Sequence, residues 1–108
     1  MDKLLSLLGL ARRAGRLETG FAACKASARA GKAALLVAAR DVSDKTFKEL
    51  RYEAERAGIG AVRVGAAMDE LSRACGIKAG VVAVADRGFA GAVMKELEQT
   101  REQGGISL

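Results

Sequence analysis

The chain contains no histidine and no proline, and has two cysteines among its 108 residues. Histidine is the side chain that titrates nearest neutral pH and the commonest metal ligand, so its absence leaves acid–base and metal-assisted catalysis little to stand on. Cys24 and Cys75 are far apart and form no CxxC. Both fall on the apolar side of predicted helices, where a thiol behaves as a small buried hydrophobe. Two cysteines without a secretory leader fit a reducing cytoplasm. With no proline, no low-complexity linker and no repeat, nothing marks an internal boundary, so residues 1–102 read as one domain and 103–108 as a frayed tail. The longest apolar run, Ala33 to Ala39, falls far short of the roughly 20 residues a membrane-crossing helix needs. The opening MDKLLSLLGLARRAG carries its charges after the apolar block, which reads as an amphipathic helix rather than a signal peptide or membrane anchor. Gly88-Phe89-Ala90-Gly91 follows a predicted strand and opens a helix, but lacks GxGxxG spacing and the Lys-Ser/Thr of a phosphate loop. The expectation is a cytoplasmic, non-enzymatic protein with no catalytic residue, no metal site and no small-molecule cofactor.

What is present is half hydrophobic and 29% charged, the balance of a folded globule. The net charge of +5 is unevenly spread. Residues 1–48 carry ten Lys/Arg against four Asp/Glu, whereas residues 49–108 carry eight against nine. From Arg12 to Arg40 there are seven cations and one acid, Glu18, a distribution that points to a polyanion surface on the first half.

Within that half, Leu17 to Asp41 organises the rest. Thr19-Gly20 opens a predicted helix, with the Thr19 hydroxyl as its N-cap, and Gly31 ends it in the left-handed conformation. Lys25, Arg29 and Lys32 recur at i, i+4 and i+7 and so share a face, while Phe21, Cys24 and Ala28 lie on another. The helix N-terminus attracts anions through its unpaired amides and dipole, and cations along the helix would extend that site into a phosphate track.

Leucines and alanines at helical spacing predict a first helix over residues 2–14, ending in Arg12, Arg13 and Arg16, then a few residues of strand near Arg16 to Glu18. Ala33–Ala39 and Val81–Ala85 are apolar throughout, the mark of strands covered on both faces. Asp41-Val42-Ser43 caps a helix whose buried stripe is Phe47, Leu50, Ala54 and Ala57. Its other side, Glu53 included, reads as an ordinary solvated surface. A short strand at Ala61–Val64, a short helix from Met68 to Cys75 and a last helix from Gly88 to about Arg101 complete the alternation. The expected fold is a three-layer α/β/α sandwich, a small mixed sheet of about four strands with helices on both faces. The loop Gly76-Ile77-Lys78-Ala79-Gly80 reads either as a plain connector or as a segment that presses on an unstacked base and touches a phosphate.

The order of these motifs resembles a known family. Gly20, the Gly31-Lys32-Ala33 step into a strand, Ala39-Arg40-Asp41-Val42-Ser43, and Glu70-Leu71-Ser72-Arg73-Ala74-Cys75-Gly76 followed by Val81-Val82-Ala83-Val84 are similar to the kink-turn-binding large-subunit ribosomal proteins of archaea. LGLARRAGRL and DRGFA resemble in particular the bacterial YlxQ-type members. The resemblance covers nearly the whole chain. It implies a three-layer module that recognises the kink-turn, a sharply bent RNA duplex with sheared G·A pairs, through the N-terminus of the second helix and a loop before the last strand. On matching positions, Gly20 starts that helix and Ile77, Lys78 and Ala79 form that loop. The family's Asn-Glu pair falls on Ala22 and Ala23, and its lysine on Ala26. The expected partner is structured RNA, kink-turn or ribosomal, alongside ribosomal proteins and no membrane. Its expected surface is Arg13, Arg16, Thr19, Gly20, Phe21, Lys25, Arg29, Lys32, Ile77, Lys78 and Ala79. The rival expectation is a protein-interaction module of a ribosome or ribonucleoprotein, with the alanine-rich helix face as its contact.

Overall fold

Helices and strands alternate from end to end in a computed structural model that describes residues 3–105. In order they are α1 (Lys3–Arg13), β1 (Leu17–Thr19), α2 (Phe21–Arg29), β2 (Leu35–Ala38), α3 (Asp44–Ala57), β3 (Gly60–Arg63), α4 (Met68–Cys75), β4 (Val81–Val84) and α5 (Arg87–Gly105). The strands form one mixed sheet in the order β1-β4-β2-β3. β4 is antiparallel to both neighbours, pairing Thr19 with Val82 on one side and Ala38 with Val81 on the other, while β2 and β3 run parallel. Helices α2 and α3 pack on each other and on the sheet, and α1 packs with α4 and α5, giving the three-layer sandwich expected.

The uniform apolarity of β2 and β4 has the meaning read from sequence: every residue of both strands is buried. Leu8, Leu36, Val37, Leu50, Leu71, Val82, Val84 and Val93 are the largest fully enclosed side chains, so the core lies in these two strands and the helices over them. Cys24 and Cys75 are free thiols inside it.

Local signals set most boundaries. The Ser43 hydroxyl accepts from Thr46 N–H at 3.1 Å and starts α3. Gly58 and Gly76 end their helices at positive φ, as does Gly31 just past α2. Four expectations are corrected. Thr19 does not cap α2: it is the last residue of β1, paired in the ladder, and Gly20 occupies the N-cap position with no side-chain cap. Asp41 does not serve α3. Its Oδ1 accepts from Met68 N–H at 2.8 Å and caps α4, 27 residues on. Glu53 is buried rather than solvated. The last helix starts at Arg87, where the Asp86 carboxylate accepts from Phe89 N–H at 2.8 Å, and continues to Gly105. The tail expected at 103–108 is thus helical to 105, and its remainder, 106–108, lies outside the described residues.

Candidate nucleic-acid interface

At one end of β4 the chain brings three connections together. Gly20 N–H donates to the Val81 carbonyl at 2.9 Å, Ala39 N–H donates to Gly80 at 2.9 Å, and Arg40 N–H donates to Ala66 at 2.9 Å. These bonds fix the start of α2, the end of β2 and the 76–80 loop along a single edge of the sheet. Gly20 turns the chain from β1 into α2 at φ 95° and ψ 155°, a conformation that is essentially glycine's alone. Its carbonyl accepts the first helical bond, from Cys24 N–H at 3.0 Å. The amides of Phe21, Ala22 and Ala23 precede any possible helical acceptor and, among the described residues, no side chain caps them. An anion at this edge would meet those donors and the positive end of the helix dipole.

The facing loop is rigidly held. The Ser72 hydroxyl accepts from Ala79 N–H at 2.9 Å and bonds the Met68 carbonyl at 2.7 Å. Gly80 packs against Met68 and Val42, whose atoms lie 2.8 and 3.2 Å from where a Cβ would sit, so a side chain there would have to displace the Met68 thioether and crowd Val42. As a result Ala79 is buried, whereas Ile77 is 55% exposed and Lys78 is exposed beside it. An exposed β-branched apolar residue next to a cation is suited to a base face and a phosphate.

The sequence-predicted residues divide. Thr19, Gly20 and Phe21 share the edge with Ile77, Lys78 and Ala79; of these, Phe21 is half-buried and packs against the core. Arg16 and Lys32 belong to the other end of the sheet: the Arg16 carbonyl accepts from Ala85 N–H at 2.8 Å, and Ala34 N–H donates to Val84 at 2.7 Å. β4 separates the two ends by roughly 13 Å. Arg13 is exposed at the end of α1. Lys25 is half-buried one turn into α2. Arg29 is engaged by Glu53, Nε to Oε1 at 3.2 Å and Nη2 to Oε2 at 3.3 Å, so part of its charge is spent joining α2 to α3. The Glu53 carboxyl lies below its ordinary range because that guanidinium hydrogen-bonds to it.

Two cations that sequence reasoning left out also border the edge. Arg40 follows β2 directly and is exposed. Arg12 lays its guanidinium over Gly76, 2.8–3.0 Å from where a Cβ would be, and glycine is favoured there by its left-handed φ of 73°. The signal for Arg40 was its place straight after an apolar strand. Arg12 opens the basic run, but its neighbour at the loop, Gly76, lies 64 positions on and does not show in the sequence. Arg63, in contrast, is structural: it donates to the carbonyls of Arg40 and Val42 at 3.1 and 3.0 Å, pairs with Asp44 at 3.2 Å and sits 4.7 Å from the Phe47 ring centre.

Neither thiol is set up for chemistry. Burial, with Glu18 adding to it, pushes Cys24 up to about 12, and burial raises Cys75 against the opposing field of Arg12. Among the described residues no cluster of His, Cys, Asp or Glu could hold a metal ion, and no helix is long and apolar enough to cross a membrane.

The chain is thus a small mixed-sheet α/β/α module with an uncapped helix N-terminus beside an anchored loop that carries Lys78. The chain belongs to the ribosomal protein L7Ae/L30e/S12e/Gadd45 family, whose model matches residues 2–105. That is a family of RNA-binding ribosomal proteins and their relatives, not of enzymes. No curated protein matches the chain in sequence. Among solved structures it is similar to a Bacillus halodurans protein of unknown function, at 31% identity and TM-score 0.84 over 91% of this chain and 99% of that one. It also shares its fold with the Giardia lamblia 15.5kD RNA binding protein, at 21% identity and TM-score 0.70 over 89% and 82% of the two chains.

Proposed function

We propose that the protein acts in the cytoplasm by gripping a structured, sharply bent RNA of kink-turn type at the Gly20 edge. The observation that carries this reading is the 2.9 Å bond from Gly20 N–H to the Val81 carbonyl, which sets the open end of α2 next to the exposed pair Ile77 and Lys78. In this reading the amides after Gly20 meet phosphate or base-edge acceptors in the widened groove, Ile77 packs on an unstacked nucleotide, and Lys78, Arg40 and Arg12 neutralise the backbone around it. Lys25, and beyond it Arg29 and Lys32, carry the contact along α2 toward the Arg16 end. That a structural neighbour is an RNA-binding protein supports the same partner. Ala22, Ala23 and Ala26 offer no side-chain donor or acceptor, so discrimination comes from shape and backbone rather than from base edges.

One observation favours a second reading. Ala22 and Ala26 are exposed and Ala23 half-buried, so the flank of α2 nearest Gly20 is smooth and uncharged, a surface suited to another helix of a ribosomal protein. Binding to a kink-turn RNA, beside the same RNA with its sheared G·A pairs made Watson–Crick, at two salt concentrations separates the readings. A preference of more than about 1 kcal/mol for the kink-turn supports shape recognition. Equal binding that weakens with salt makes the protein a general RNA binder, and no binding to either leaves the protein-interaction reading. If about four phosphates are neutralised, affinity falls roughly a hundredfold between ~50 and ~200 mM salt.

A further inference from the structure

We propose that the groove between α2 and α3 is a second backbone-phosphate site, which holds the stem of the RNA docked at the Gly20 edge and uses Arg56 and the outer face of Arg29 as its cationic walls. This rests on the RNA reading above and extends it to a surface remote from Gly20.

The groove is open and has a volume of about 680 Å³. Ala28, Arg29 and Gly31 line it from the α2 side, and Glu53, Arg56 and Ala57 from α3. Its charges are unequally presented. The Glu53 side chain is 8% exposed and both its oxygens are taken by Arg29, whose own side chain is 59% exposed. What faces solvent is therefore guanidinium rather than carboxylate. Arg56 adds a second guanidinium; among the described residues no carboxylate lies within ion-pair distance of it, and Glu53 attracts it only from farther off. It is held by a 3.1 Å bond from Nη1 to the Tyr52 hydroxyl and lies 5.7 Å from the centre of that ring. Glu55, the next acid on α3, is 4.0 Å from Arg51 instead. Tyr52, 55% exposed and outside the lining, serves to hold Arg56 in place at the groove's rim. Ala28, Gly31 and Ala57 keep the floor low enough for a backbone to enter.

The placement fits a single RNA spanning both sites. Helix α2 runs from the Gly20 edge to the groove over nine residues, about 14 Å at 1.5 Å per residue. A stem leaving Gly20 along α2 passes its phosphates over Lys25 and then over the groove. Planar guanidinium groups held by neighbours lose little freedom on meeting a phosphate, which favours these two arginines over the lysines elsewhere on the surface.

The test uses the whole protein and two probes: a kink-turn RNA with long stems, and the same RNA with its stems cut back so that they end short of the groove. Arg56→Gln removes the charge but leaves a polar side chain near Tyr52, and its urea midpoint and far-UV circular dichroism confirm the fold. On the long RNA, Arg56→Gln is expected to weaken binding roughly eightfold at ~0.1 M salt and to reduce the slope of log affinity against log salt by about one. On the short RNA it is expected to bind as the parent does. Unchanged affinity and slope on the long RNA would overturn the groove while leaving the Gly20 reading in place, as would equal weakening on both RNAs. Failure of the parent to bind either RNA would overturn the RNA reading and the groove with it.

Discussion

Both carboxylate oxygens of Glu53 are occupied by one guanidinium, that of Arg29, across the interface between α2 and α3. The residues lie 24 apart in sequence. The pair has a pH signature. Because the folded-state carboxyl lies below its ordinary value of 4.5, its stabilisation is present above that pH and is lost as pH falls through the folded-state value. The parent should be more stable than Glu53→Gln at neutral pH, and the difference should shrink below about pH 4.5. Urea midpoints of the two proteins across that range measure it. A difference independent of pH would mean that packing, and not charge, distinguishes them.

The hydroxyl of Ser27 is buried against the sheet side of α2 with no hydrogen-bond partner among the described residues. An unpaired buried polar group costs about 1–3 kcal/mol, and alanine is also the better helix former. Ser27→Ala should therefore raise stability by about 1 kcal/mol in chemical denaturation, one of the few substitutions in this core expected to help.

Gly20 presents the reverse case. Its backbone conformation is strained for any other residue, although the space around it is open. Gly20→Ala should cost about 1–3 kcal/mol and shift the opening of α2, weakening RNA binding more than the stability loss alone explains. Comparing affinity at a temperature where the variant is fully folded separates the two effects.

At the 76–80 loop, stability and binding should part company. Ile77 and Lys78 are exposed and held by Ser72's bonds to Ala79, not by their own side chains. Ile77→Ala and Lys78→Ala should change unfolding free energy by less than about 0.5 kcal/mol. Lys78→Ala should also lower the salt slope of RNA binding by about one. Titrations at several salt concentrations read this directly.

With Cys24 fully buried and its thiol pushed up to about 12, the native protein should resist thiol reagents at pH 8 and react at Cys24 and Cys75 once denatured. Reaction of Cys24 in the native state would show that α2 opens away from the sheet.

Much of the fold was legible because local chemistry decided it. The short apolar runs at Ala33–Ala39 and Val81–Ala85, each between turn signals, are strands covered on both faces, and Ser43, Gly58 and Gly76 mark boundaries through local bonds and backbone conformation. Of the proposed site, Gly20 and the Ile77–Ala79 loop were suggested by motif order, and the structure sets both at the start of β4. What was not legible depends on distant partners. Glu53 flanks the apolar stripe of α3, and nothing near it in sequence reveals that Arg29 completes it. Asp41 sits where it would cap the next helix, yet reaches one 27 residues later. Nor does the sequence show that Arg16 and Lys32 lie at the opposite end of β4 from Gly20.

The last strand of the chain is an inner strand of the sheet, between β1 and β2. During synthesis this makes folding a late event. A nascent chain that has not yet released residues 81–84 has β1 without a neighbour, and the Gly20 amide without the carbonyl that holds it. Only when 84 of the 108 residues are clear of the ribosome can the sheet close, and the edge proposed to hold RNA is assembled in that same step. A chain that stops before β4 therefore lacks the edge altogether, whatever else of it has folded.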